Sequence, residues 1–448
     1  MYTFTYESFL PYSKEKIMTF LLQDASIERM IPTWLNAKLI ARGSSQKSGS
    51  KTILRIGKAP FHVDWVIQYE AVSDRGEFVH KLNIGPLRYC RHTRSVESVE
   101  GGCVVKDKVE YKLPIFISKR SMQKKIYRVF SFVHQRIKND LLVFYRYDTK
   151  PLKVLLSGSS GLVGRALSSF LQSQGHDVWS LKRGDSDVKN KIIGWNPSKD
   201  EMDPQSIDGF DAVVHLAGEN IGVKAWTQDQ KDNIFKSRCR DTWLLSKTMS
   251  RCKNHPKVFV CASAIGFYGD CGQEIVNEDS PPGKDFLADL CVKWEEAARV
   301  LSSKDVRCVQ TRFGLILDPQ GGVLSQILPV FRMCLGGRLG SGSQVYSWVA
   351  LDDVIYAIYH CIKNENLSGP VNIVSTSPTC QKTFASMLAK ALHKGCFMPI
   401  PSFFLKIVLG ERADALILRS TNVEPLRLKQ SGYEFIYEDL QKYFTDAV

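Results

Sequence analysis

No run of about 18 consecutive apolar residues occurs anywhere in this chain of 448 residues. A membrane-spanning helix of ordinary length is therefore not expected. The first residues lack the basic segment followed by an apolar stretch that marks a secretory signal. The 12 cysteines include no Cys-x-x-Cys pair, and no paired histidines lie near them. That pattern speaks against a zinc site, so no metal is expected, and for reduced thiols in a cytoplasmic compartment. Acidic residues are scarce in the first third. Residues 1–150 hold 26 Lys+Arg against 14 Asp+Glu, which accounts for most of the formal net charge of +14. Such a surface suits an acidic membrane surface or an acidic protein partner, or is simply a solvated lysine-rich face. Basic and aromatic residues do not interleave as they do in a nucleic-acid groove, so no nucleic acid is expected.

Hydrophobic content of 44% and charged content of 24% are ordinary for globular proteins, and the length suggests two or three domains. Residues 1–147 read as a strand, short helices, a run of strands and one long helix. Val63, Trp65, Ile67 and Tyr69 alternate with Asp64 and Gln68, as a half-buried antiparallel strand requires. Val105, Val109 and Tyr111 alternate in the same way with Lys106, Lys108 and Glu110. Gly43 to Gly49, Asp74-Arg75-Gly76 and Gly101-Gly102 signal turns between these runs. The closing helix carries Met122, Ile126, Phe130, Val133, Ile137 and Leu141 at spacings of three and four, which makes one apolar stripe. A curved antiparallel sheet gripping a long C-terminal helix resembles the START-like helix-grip fold, an α+β domain that often encloses an apolar ligand. Trp34, Trp65, Tyr69 and Phe130 either line such a cavity or fill a core.

Residues 148–151 form a short polar linker, and from Leu152 strands and helices alternate. The apolar run Val154-Leu155-Leu156 leads directly into Gly158-Ser159-Ser160-Gly161-Leu162-Val163-Gly164. An amphipathic helix follows with Leu162, Ala166, Leu167, Phe170 and Leu171, and then a second strand from Asp177 to Leu181. This is the spacing of a dinucleotide loop. Gly158 would make the tight turn, Gly161 would admit a pyrophosphate to the backbone amides, and Gly164 would let the helix pack on its strand. Further apolar runs at Ala212–Leu216, Val258–Ala262 and Cys308–Thr311 complete the pattern of an α/β Rossmann domain, a doubly wound parallel sheet. Lys182 and Arg183 stand where an acidic residue would hold the ribose of NAD. Two cations there suit a 2′-phosphate, which favours NADP.

Further stretches carry a family resemblance. They are His215-Leu216-Ala217-Gly218-Glu219-Asn220-Ile221, Ser263-Ala264-Ile265-Gly266-Phe267-Tyr268-Gly269, Glu278-Asp279-Ser280-Pro281-Pro282-Gly283, Lys293-Trp294-Glu295 and Gly336-Gly337-Arg338-Leu339-Gly340-Ser341-Gly342. Ser347-Trp348, Pro399-Ile400-Pro401 and Gly432-Tyr433 complete it. With these, residues 152–448 resemble an atypical extended short-chain dehydrogenase/reductase of the nucleoside-diphosphate-sugar epimerase-like subgroup. The resemblance implies a Rossmann domain over 152–390 and a small C-terminal extension over 391–448. It implies that Gly158, Ser160, Gly161, Leu162, Val163 and Gly164 hold the pyrophosphate of NADP, and that Lys182 and Arg183 take the 2′-phosphate. Leu216, Ala217 and Gly218 would then lie on the adenosine side, and Asn233 and Arg312 near the pyrophosphate or nicotinamide ribose.

Dehydrogenases of this superfamily use a Tyr-x-x-x-Lys pair, in which the lysine lowers the tyrosine pKa for proton exchange. In the equivalent helix this chain places Leu287 and Cys291, which do neither job. Ser263 and Tyr268 remain as the candidate proton donors. Two readings follow. One is an NADP-dependent oxidoreductase or epimerase acting on an unidentified small molecule through rearranged residues. The other is a non-catalytic NADP-binding regulator or scaffold, tied to cell division or the envelope, whose first domain binds a hydrophobic ligand.

Overall fold

The computed structural model describes residues 1–448 apart from 45–46, 59–60, 74–76, 86, 88, 115–116, 149, 200–201 and 301–305. The turn expected at Asp74-Arg75-Gly76, part of the one at Gly43 to Gly49, and Thr149 of the linker lie outside the described residues. The chain divides into two compact units. The first is Met1–Thr149 with Ser169–Gly175, and the second is Lys150–Ser168 with His176–Val448.

In the first unit, β1 (Tyr2–Leu10) is followed by α1 (Lys14–Leu22), α2 (Ser26–Met30), β2 (Ala37–Ala41), β3 (Lys51–Lys58) and β4 (Phe61–Ser73). Then come β5 (Glu77–Ile84), β6 (Tyr89–Val99), β7 (Gly102–Lys112) and the 26-residue α3 (Lys119–Phe144). The strands form one antiparallel sheet in the order β1-β7-β6-β5-β4-β3-β2. Ser118 caps α3 by accepting a bond from the Ser121 amide. The stripe on α3 buries Val133, Ile137 and Leu141 against Phe78, Val96 and Val105 of the sheet. The alternation expected on β4 is only partly realised, because Tyr69 is buried while Val63 is half exposed. Of the four aromatic candidates, Tyr69 and Phe130 are core residues. Trp34 and Trp65 are half-buried, and Trp34 lies edge-on to Phe132 with Arg128 over its ring.

The inward face of β7 also carries a carboxylate. Asp107, fully buried, accepts two bonds from its cross-strand partner Arg94 at 2.8 and 2.9 Å. His92 and His134 reach the same carboxylate at 2.7 and 2.6 Å, and Ser8 meets the other nitrogen of His134 at 2.6 Å. His80 pairs with His92 at 3.1 Å. Although burial alone would raise it, Arg94 and the imidazoles hold the Asp107 carboxyl well below the usual range. Burial pushes His80 and His134 down.

The second unit is built on a parallel sheet. Its strands are β8 (Lys153–Ser157), β9 (Asp177–Arg183), β10 (Ile192–Trp195), β11 (Ala212–His215), β12 (Val258–Ala264), β14 (Arg307–Phe313) and β18 (Gly369–Ile373), in the order β10-β9-β8-β11-β12-β14-β18. The helices between them are α4 (Leu162–Ser173), α5 (Gln228–Phe235), α6 (Asp241–Met249), α7 (Phe286–Ala298), α8 (Gly322–Arg332) and α9 (Leu351–Lys363). Strand order reverses between β8 and β11, which opens a crevice beyond their C-terminal ends. Three two-stranded pieces flank this sheet: β13 (Ile275–Val276) with β20 (Asn422–Val423), β15 (Leu315–Asp318) with β17 (Trp348–Ala350), and β16 (Val345–Tyr346) with β19 (Thr379–Cys380). The chain closes through α10 (Gln381–Ala391), α11 (Ser402–Leu409), α12 (Leu426–Gln430) and α13 (Leu440–Ala447). Buried Asp353 ties this last segment to α9 by accepting from the amides of Ile436 and Tyr437 at 2.7 and 3.0 Å. Among the described residues, no helix is long and apolar enough to cross a membrane.

Candidate functional site

The glycine loop follows β8 at the point where the strand order reverses. Gly158 has a φ of +72°, and a Cβ there would sit 2.7 Å from the Leu216 carbonyl carbon and 2.8 Å from the Ala217 nitrogen. A Cβ on Gly164 would stand 2.2 Å from the Gly158 oxygen. Only glycine lets the turn lie on the end of β11 and lets α4 start directly against the turn. Gly161 is different: its nearest contact for a Cβ is the Gly158 oxygen at 3.3 Å. The space above it is open, and it faces the first turn of α4, where unpaired amides and the helix dipole favour an anion.

A buried pair fixes the two strand ends. Ser157 accepts from the amides of Leu216 and Ala217 at 3.2 and 3.4 Å, so its own proton goes to His215 Nδ1 at 2.6 Å. Burial pushes the His215 pKa down to about 4, so the ring is neutral near pH 7 with its remaining proton on Nε2. Sequence reasoning singled out neither residue for this job. Two polar side chains at the ends of adjacent apolar strands were the available signal.

A cavity of about 720 Å³ opens from this crevice. Gly158, Gly161, Leu162, Val163, Gly164, Leu216 and Ser263 are on its wall. Ser160, Ala217 and Gly218 belong to the same loops but are not wall residues, and Ser160 and Gly218 are exposed. Lys182 and Arg183 are exposed just past the end of β8, because Ser157 pairs with Leu181 in the sheet. Arg183 reaches Asp241 at 3.3 Å with its side chain 73% exposed, so the guanidinium is only loosely held.

Three expected residues have other work. Asn233 is exposed on α5 and is not part of the cavity wall. The cation near the loop is instead Arg238, one helical turn further on. It lines the cavity, donates to the Glu219 carbonyl at 2.9 Å and stacks on Trp294. Gly218 makes room for it, since a Cβ there would lie 3.3 Å from the guanidinium carbon. Arg312 is buried and fully engaged. It forks onto Glu295 at 2.8 and 2.9 Å, donates to the Tyr268 hydroxyl at 2.9 Å and covers the Phe267 ring at 3.5 Å. Tyr268 gives its own proton to Asn372 at 2.8 Å, and burial pushes its pKa up to about 12. It is off the cavity wall, so its hydroxyl positions Arg312 rather than facing a reactant. Ser263 does face the cavity, with its proton donated to Glu295 at 2.8 Å and its lone pairs left as acceptors.

The tyrosine and lysine slots of α7 are apolar walls. Leu287 and Cys291 both line the cavity, and burial pushes the Cys291 thiol up to about 12, which keeps it protonated.

Comparison with known proteins adds the family. A model described as the NAD dependent epimerase/dehydratase family matches residues 154–374, and one described as a domain of unknown function, DUF1731, matches residues 400–447. Epimerase family protein Mb2239 of Mycobacterium bovis is 35% identical over 282 residues, which span 63% of this chain and 93% of that protein. This chain belongs to the epimerase family. Epimerase family protein SDR39U1 of Homo sapiens is 32% identical over 300 residues, 66% of this chain and 100% of that protein. Its crystal structure, isoform 2 with NADPH, superposes with a TM-score of 0.62 at 30% identity, covering 66% of this chain and 98% of that one. A nucleoside-diphosphate sugar epimerase from Corynebacterium glutamicum superposes over 99% of this epimerase-family chain and 90% of its own, with a TM-score of 0.83 and 26% identity. UDP-glucose 4-epimerase from Thermotoga maritima, at 18% identity and a TM-score of 0.53, shares the fold.

Proposed function

We propose that the second unit holds NADP(H) and exchanges hydride with the carbonyl or alcohol carbon of a small molecule, as an oxidoreductase or epimerase. The observation that carries this is the glycine cradle at the strand-order reversal, opening into the same cavity as Ser263. A Cβ would fill the cradle at Gly158 and Gly164, while Gly161 leaves the amides of α4 open to a pyrophosphate. Leu216 and Ala217 pack beside the nucleoside, Arg238 serves the diphosphate, and Lys182 and Arg183 neutralise the 2′-phosphate. The cofactor supplies the hydride. An alcohol in the cavity would pass its hydroxyl proton to Ser263 Oγ while the serine proton moves to Glu295, and the reverse transfers would protonate the oxygen when a carbonyl is reduced. The human relative crystallised with NADPH supports the choice of NADP over NAD. Titration of the full chain with NADPH and with NADH tests the site. Tight NADPH binding that weakens in a Lys182→Ala/Arg183→Ala variant is the expected result, and equal affinity for both cofactors would remove the role of the two cations.

A second reading is a non-catalytic NADP(H)-binding regulator or scaffold in the cytoplasm. The absence of a tyrosine and lysine from the α7 slots of the cavity wall favours it. In that reading the first unit is a START-like helix-grip domain for a hydrophobic ligand, and its basic surface meets an acidic membrane or protein. Failure of NADPH to oxidise in the presence of any carbonyl substrate, together with NADPH-dependent binding to anionic vesicles, would favour this reading over turnover.

A further inference from the structure

The cavity has two chemically different halves. The near half belongs to the glycine loop and to the ends of β11 and β12. The far half is built from the later turns of α8 from Ile327 to Phe331, the segment Gly336 to Leu339, and Ala415 to Thr421, while the first turn of α8 lies against Leu162. Its wall is apolar, with Ile327, Phe331, Leu339, Phe384, Ile400 and Leu416 among its side chains. No lysine, aspartate or glutamate is on the wall of this cavity among the described residues.

Three polar side chains of the far wall are already committed elsewhere. Gln381 accepts from the Leu339 amide at 2.9 Å and donates to the Gly337 carbonyl at 3.3 Å. Ser347 donates to the Thr421 carbonyl at 2.7 Å and accepts from the Val423 amide at 2.8 Å. Tyr346 donates to the Ile417 carbonyl at 2.9 Å. A sugar diphosphate buried here would lose its hydration and find few donors or acceptors in exchange, which is costly for each group left unpaired.

Two polar groups are unspent: the Thr421 hydroxyl, which makes no hydrogen bond among the described residues, and the Arg419 guanidinium. Arg419 is on the wall, only 8% exposed, with its Nη2 paired to Asp285 and its Nε without a hydrogen-bond partner. Outside the cavity the apolar surface continues. Val330 and Leu335 on the wall are partly exposed, Met398 bonds to Gly336 through its backbone, and α11 packs beside the Ala415–Ile417 wall with Phe403 and Ile407 exposed. Exposed apolar side chains on and beside a cavity wall mark a binding area.

We propose that the far half of the cavity takes a predominantly apolar molecule held by a single carboxylate or carbonyl oxygen at Arg419, rather than a nucleotide sugar. This rests on the proposed cofactor occupying the near half. The test uses the full chain and straight-chain carboxylates from butanoate to decanoate. They compete for 1-anilinonaphthalene-8-sulfonate fluorescence, with and without NADPH, and UDP-glucose is the polar comparator. Affinity is expected to rise by about fourfold for each added methylene, and UDP-glucose to displace nothing at concentrations where decanoate does. Leu335→Glu, at the partly exposed rim, is expected to weaken decanoate at least tenfold and leave NADPH binding unchanged. Arg419→Met is expected to weaken decanoate while 1-decanol keeps its affinity, a split that a general loss of structure would not produce. A flat chain-length series, or UDP-glucose competing better than decanoate, would overturn the inference even if NADPH binds normally. Loss of NADPH binding with the chain-length series intact would instead sink the cofactor reading alone.

Discussion

Gly161 and Gly164 lie three residues apart in one loop, and the structure assigns them opposite vulnerabilities. Alanine at Gly164 places a methyl 2.2 Å from the Gly158 oxygen and 2.8 Å from its carbonyl carbon. Both are backbone atoms, so the start of α4 must move by roughly 1 Å, and such overpacking costs about 1–3 kcal/mol. Alanine at Gly161 meets only one atom, at 3.3 Å, and Gly161 is not among the positive-φ glycines. The turn must give by a few tenths of an ångström to admit it, which offsets part of the about 0.4–1 kcal/mol gained by restricting the unfolded chain. The methyl does, however, occupy the approach to the α4 amides. Each amide bond lost to a charged phosphate is worth about 1.5–3 kcal/mol, which is about 10- to 150-fold in affinity. The assay is a thermal melt and an NADPH fluorescence titration on the same samples. Gly161→Ala should melt close to the parent and bind NADPH at least tenfold more weakly. Gly164→Ala should lose both stability and binding. Parental NADPH affinity in Gly161→Ala would refute the loop as a pyrophosphate site, and an unchanged melt in Gly164→Ala would refute the packing argument.

Replacing both Lys182 and Arg183 by alanine should raise the NADPH dissociation constant by about 10- to 100-fold, leave NADH unaffected and leave the melting temperature unchanged, since both side chains are exposed. Glu295→Gln leaves the buried Arg312 guanidinium without its carboxylate and should cost about 3–5 kcal/mol in urea unfolding; a Glu295→Leu/Arg312→Met double variant should recover part of it. For His215 the folded pKa of about 4 lies below an unfolded value of about 6.5. The unfolded state binds the proton more readily, so this contribution is fully present above pH about 6.5 and is lost as pH falls through 4. Its size is up to about 3 kcal/mol, and His215→Gln should flatten that part of the stability–pH curve.

The near half of the site was readable because it depends on short-range chemistry. Val154 to Leu156 are buried on both faces, so the strand is an unbroken apolar run, and the glycines follow at fixed offsets. The far half was not, because β13, β16, β19 and β20 are two residues each and too short to show a period. Arg419 meets Asp285 across 134 residues, and no local pattern announces such a pairing. Arg312 and Tyr268 were correctly placed at strand ends, yet their hydrogen bonds turn them into the core. Strand position sets where a side chain starts, and its partners decide which way it points. In the first unit, alternation from Val105 to Val109 puts Asp107 on the inward face, but nothing nearby in sequence announces that Arg94 and three histidines gather around it.

That inward carboxylate has a consequence for how the first sheet assembles. Antiparallel strands of mixed valine and lysine can pair in more than one alignment, and a shift by one residue exchanges the two faces of a strand. If β7 slid by one position, Asp107 would leave Arg94 unpaired in the interior, and Lys106 or Lys108 would turn inward with no counter-charge. Each outcome buries a lone charge, which costs several kcal/mol. The Asp107–Arg94 pair thus acts as a key cut for one alignment: it adds little to the stability of the correct sheet and makes the neighbouring alignments prohibitively poor.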